Sequence, residues 1–152
     1  MDDQLKLLLE KNLVQNEKLL KDVFKSGGLL GSNFARVNFA YLLGCYGPKA
    51  TSDLHLIRKI RNDFGHSASP LSFESPVIKQ RCRSLYHIIH EEPASARIKF
   101  IRSIYCILGI IHGAERMSKL PLEHADIVIT EKQKKANTKA AERLIAAMKL
   151  LK

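Results

Sequence analysis

The chain has 152 residues, 25 Lys and Arg against 15 Asp and Glu, a net charge of +10, and 45% hydrophobic residues. Folding a chain of this length buries roughly 69% of its surface, enough for one hydrophobic core and too little for two. The hydrophobic share excludes wholesale disorder, and no apolar run is long enough to span a membrane, the richest (residues 100–111) being interrupted by Arg102 and Ser103.

The periodicity is helical almost throughout. Leu5, Leu8, Leu9, Leu13, Leu20, Val23 and Phe24 form one stripe at three- and four-residue spacing, which predicts a first helix ending at Gly27-Gly28. Its acidic, amphipathic start does not read as a signal peptide, so a cytoplasmic protein is expected. Ser32 or Asn33 caps a second helix ending near Gly44, with Phe34, Val37, Phe39, Ala40, Tyr41 and Leu42 covering more than one face. After Gly47-Pro48, one of Thr51, Ser52 and Asp53 is the expected cap of a third helix, with Leu54, Ile57, Ile60 and Phe64 inward. Gly65 should fray or end it.

Residues 66–75 read as a serine-rich loop. Ser75 followed by Pro76 is a strong start signal for a fourth helix, expected to run to Pro93. Ser95 caps a fifth, the most apolar, with Ile98, Ile101, Ile104, Tyr105, Leu108 and Ile111 inward. Residues 119–129 are ambiguous, and Ile127-Val128-Ile129 within them reads as either a short extended piece or a helical turn. Thr130 with Gln133 fits a capping box ahead of a last helix. The expected architecture is therefore all-α: a single-domain antiparallel bundle of about six helices without a sheet. It divides into a bundle over residues 1–130 and a basic C-terminal helix over 131–152, packed or protruding.

Three widely spaced cysteines, Cys45, Cys82 and Cys106, offer no C-x-x-C and read as buried reduced thiols. His87, His90 and Glu91, and His112 with Glu115, have helical metal-pair spacing. Without further ligands they read as solvated faces, so no metal or cofactor is expected. His55 reads as an ordinary helix-surface or interface residue. Walker, dinucleotide and nucleophile-elbow patterns are absent, as is a helix-turn-helix with a basic recognition helix.

The densest polar cluster is Arg58, Lys59, Arg61, Asn62, Asp63 and His66, closing the third helix. Arg58 and Asn62 share a face, Arg61 is one step away, and His66 beyond the glycine can fold back toward Arg61. A guanidinium beside an imidazole suits a phosphodiester, because arginine binds phosphate two-pronged and histidine moves protons near neutral pH. The alternative is a helix end where cations meet the negative end of the dipole. In residues 131–152, Lys132, Lys134, Lys135, Lys139, Arg143, Lys149 and Lys152 stand against Glu131 and Glu142, half of the net charge. This helix is either a nucleic-acid contact through Lys132, Lys134, Lys135, Lys139 and Arg143 or a solvated terminal helix.

The strings at residues 32–44 (SNFARVNFAYLLG), 53–67 (DLHLIRKIRNDFGHS) and 70–78 (PLSFESPVI, then Cys82) resemble the mannitol operon repressor family over roughly residues 20–118. The resemblance implies an all-helical, bacterial, cytoplasmic negative regulator of transcription that is not an enzyme. It would act through a regulatory protein partner or non-standard DNA contacts, with Arg58, Arg61, Asn62, Asp63 and His66 as its motif surface. The shorter pattern Arg61-Asn62-x-x-x-His66 also resembles the motif of HEPN-domain ribonucleases. That second resemblance implies a homodimer cleaving RNA without metal. Arg61 would stabilise the phosphorane-like transition state, His66 would move the proton and Asn62 would orient the site.

Overall fold

A computed structural model describes residues 1–67, 70–87, 94–119, 121 and 130–150, with side chains as far as Arg143 in the last segment. Among these residues the chain is all helical, with seven helices and no strand: α1 Asp2–Lys11, α2 Glu17–Phe24, α3 Asn33–Leu42, α4 Pro48–His66, α5 Pro76–Arg83, α6 Ala96–Met117 and α7 Glu131–Leu150. None of them is long and apolar enough to cross a membrane. The chain forms two compact units, residues 1–122 and 123–152.

The expected first helix is two. Asn12 leaves the helix and its amide donates to Leu8 O (2.7 Å) and Ser118 Oγ (2.8 Å). Asn16 then caps α2 by accepting from Leu19 N at 3.1 Å. Two asparagines whose side chains compete for backbone partners break a stripe that periodicity alone would carry through. Downstream, Lys25 to Gly31 turn back so tightly that a Cβ on Gly28 would lie 2.4 Å from Asp22 O, and Gly27 takes a positive φ of 82°. Both positions demand glycine.

Ser32 caps α3 through Ala35 N (3.1 Å), and Gly44 follows it at φ 73°, as expected. The start of the next helix is corrected. Gly47 is the cap of α4 and Pro48 its first residue, where proline costs no hydrogen bond. Asp53 is thereby a full turn inside α4, and buried. The other end is also corrected: α4 continues through Gly65 to His66. Ser75-Pro76 does open α5, but that helix closes at Arg83. Pro93 and the segment 127–129 lie outside the described residues. Ser95 caps α6 through Ile98 N (3.3 Å). Thr130 and Gln133 form the reciprocal capping box: Thr130 N donates to Gln133 Oε1 at 2.8 Å, and Gln133 N to Thr130 Oγ1 at 3.3 Å.

In the first unit, α6 packs on α1, α4 and α5, and α3 on α1 and α4. The main core joins Leu5, Leu8, Leu9, Val37, Ala40, Leu54, Ile57, Ile107 and Ile111. A smaller core of Ile60, Ile78 and Cys82 sits under the C-terminal half of α4, with Leu71, Phe73 and Phe100 against it. The inward assignment of α6 is partly reversed. Ile107 and Ile111 are buried, whereas Ile98, Ile101 and Tyr105 are exposed. Phe34, Tyr41 and Leu42 on α3 are exposed too. Of the cysteines, Cys82 is buried and Cys45 and Cys106 half-buried, and burial pushes the Cys45 and Cys82 thiols up, with Lys99 opposing at Cys82.

Candidate functional site

The C-terminal half of α4 is held from below by Ile60 and from the side by an aromatic chain. Phe64 lies 5.0 Å from Phe73, which lies 5.6 Å from Phe100. Ile60 is buried, but Phe64, expected inward, is exposed and meets Phe73 at the edge of the smaller core; the polar members of the cluster emerge on different sides. Asp63 pairs with Arg81 of α5. Its charge is consumed there, so it does not offset its neighbours on α4. Arg58 is half-buried with its guanidinium 5.4 Å from the Phe34 ring, and Lys59, Arg61 and His66 are exposed. Arg58, Lys59 and Arg61 make no ion pair among the described residues.

The structure does not bring Arg61 and His66 together. Because α4 is unbroken through Gly65, five residues of helix separate them by about 140° around the axis. Arg61 opens, with Arg58, onto a cleft lined by Asp2, Asn33 and Phe100. His66 opens onto a second cleft of about 480 Å³ with Asn62, Asp63, Leu71, Val77 and Arg81. The expected folding back of the imidazole requires the helix to stop at Gly65, and it does not.

His55 is no ordinary surface residue. Its Nε2 donates to Asn38 Oδ1 at 2.9 Å, its ring centroid is 5.0 Å from that of Phe34, and its Nδ1 is buried without a hydrogen-bond partner. Burial, aided by the Arg58 charge, holds its pKa below the ordinary 6.5. The folded state keeps the neutral ring, and the unfolded chain takes up a proton below about pH 6.5. Stability is therefore complete above pH 6.5 and falls as pH drops through the lower folded value. Urea unfolding at pH 7.5 and 5.5 should show this loss, and His55→Gln should reduce it. An unchanged pH difference in that variant would refute the assignment.

Sequence reasoning misses Asp53, which is 1% exposed. Its carboxylate accepts from Tyr86 N (2.9 Å), His87 N (2.8 Å) and His87 Nδ1 (2.9 Å), fastening residues 86 and 87 to α4. One turn earlier, the Lys49 ammonium sits 3.5 Å from the centre of the Tyr86 ring. A signal exists: Asp53 lies on the same stripe as Ile57 and Ile60, where a carboxylate must find donors. His87 is thus a structural partner. His90 and Glu91 lie outside the described residues, and His112 pairs with Glu115 (3.4 Å), which also holds Lys11 at 2.7 Å. Among the described residues no three His, Cys, Asp or Glu gather as a metal site.

The second unit offers a different surface. Every residue of α7 from Glu131 to Arg143 is exposed, including Lys132, Lys134, Lys135, Lys139 and Arg143. Lys134 pairs with Glu131 at 2.7 Å, and the other four make no ion pair among the described residues. The chain matches no protein-family model, no curated protein and no solved structure.

Proposed function

We propose that the protein is a bacterial negative regulator of transcription of the mannitol-repressor type, acting through protein contacts or through DNA contacts outside a helix-turn-helix. The observation that carries the DNA arm is α7, where Lys132, Lys135, Lys139 and Arg143 are exposed and unpaired among the described residues. Cations with no carboxylate to release are ready to displace counterions from a phosphate backbone.

The test is fluorescence anisotropy with a duplex over a range of salt concentrations. Binding should weaken steeply with salt. Replacing Lys132, Lys135, Lys139 and Arg143 with Gln should flatten the log–log slope by about one for each phosphate that is no longer neutralised. A slope that is flat in the parent chain rules out backbone contact and leaves repression to a protein partner.

A metal-independent ribonuclease is the second reading. The observation favouring it is that Arg61 and His66 are both exposed, so a second copy can supply the missing half of an RNA site. It predicts RNA cleavage in the presence of a chelator that His66→Ala abolishes with the helical signal intact. Cleavage that survives the substitution removes His66 from the chemistry.

A further inference from the structure

One stripe of α4 changes character as it leaves the core. Leu54 and Ile57 are buried, Arg58 is half-buried and Arg61 is exposed, all at the spacing of a single helix face. Facing them on α6 are Phe100 and Ile104, four apart and half-buried. With the starts of α1 and α3 they enclose a cleft of about 450 Å³. Leu54, Ile57, Phe100 and Ile104 make its apolar wall, and five polar or charged residues share the lining; an apolar wall holds a ligand's body while polar groups fix its orientation.

Two arginines, Arg58 and Arg61, and two carboxylates, Asp2 and Asp3, line the cleft. Two arginines three apart on one helix face repel each other unless an anion lies between them. Asp2 also lines the cleft, but its carboxylate is engaged elsewhere, by Arg36 (3.0 Å) and Asn33 (2.8 Å). The Nε of Arg58 is buried with no hydrogen-bond partner. The same guanidinium lies 5.4 Å from the centre of the Phe34 ring, within cation–π reach. A buried donor without an acceptor is costly and calls for a partner. A carboxylate fits an arginine fork in plane, and a single negative charge is what the cleft tolerates. Asp3 also lines it, unpaired among the described residues, and opposes a second negative charge on the ligand.

We propose that this cleft binds a small monocarboxylate with an apolar body, its carboxylate against Arg58 and Arg61 and its body on Ile57, Phe100 and Ile104. The inference stands independently of the regulatory reading, and its test uses no nucleic acid.

The experiment titrates 4-phenylbutanoate into the full chain and follows backbone amide shifts by NMR. Saturable shifts are expected at residues 54–61 and 100–104. Arg61→Gln should weaken binding about tenfold, as loss of a charge-assisted hydrogen bond does, and Arg58→Gln should do the same. The neutral 4-phenylbutanamide should bind the parent chain correspondingly worse, and inorganic phosphate worse again. Lys99→Gln, on a different pocket, should change nothing. Arg61 is exposed, so its variant decides the matter if Arg58→Gln fails to fold. Equal binding of acid and amide, tighter binding of phosphate, indifference to Arg61→Gln, or shifts elsewhere on the chain would each overturn the proposal.

Discussion

Asp53→Ala should lower the unfolding free energy by about 3 kcal/mol, from the desolvation cost of stranding partly buried donors. The substitution leaves two backbone N–H groups and one imidazole N–H of residues 86–87 without an acceptor. It also leaves a void in a position 1% exposed to solvent. Asp53→Asn keeps the shape and one acceptor oxygen, so about half of the loss should remain. Urea unfolding at pH 7.5 measures both. A loss below about 1 kcal/mol for the alanine variant would mean that water replaces the carboxylate, contrary to its burial.

Arg36→Ala should cost about 2–3 kcal/mol, for a different reason. Arg36 is 8% exposed. Its Nε donates to Leu30 O at 2.8 Å, and its guanidinium lies 5.8 Å from the centre of the Phe24 ring. It therefore holds the tight turn after α2 against α3. Its ion pair with Asp2 is the weaker part, since the Asp2 side chain is 46% exposed and screened by water. Asp2→Asn should accordingly cost less than about 1 kcal/mol. Equal effects of the two substitutions in thermal or urea unfolding would show that the ion pair, and not the anchoring of the turn, dominates.

Both residues mark where the sequence stops being legible. The helical class and most boundaries are readable because they are local. Ser32, Ser95 and Thr130 with Gln133 satisfy backbone groups within three residues, and the left-handed Gly44 does the same work after α3. Asp53 reads as a cap because Asp often is one. Pro48 takes the first helical position instead, and the donors that keep Asp53 buried come from 33 and 34 residues away. Arg36 resembles any solvated arginine in a helix until the turn at Leu30 supplies its acceptor. The buried faces of α3 and α6 escape a sequence reading in the same way. Their apolar residues run most of the way around, and periodicity does not choose which half meets the core.

For the candidate site, composition locates the cluster at the end of α4 but not its division. That division hinges on one glycine, which the sequence offers as a stop and the structure uses as an ordinary helical residue. Gly65 meets nothing within 4 Å of where a Cβ would stand, so no close neighbour forces the chain to turn there. The helix runs on, and a spacing of five puts Arg61 and His66 out of phase. A spacing of four would bring the two positions within about 40° of each other, over one groove. The difference between two separate half-sites and one shared face is thus a single residue of helical phase, kept by a glycine that stays helical.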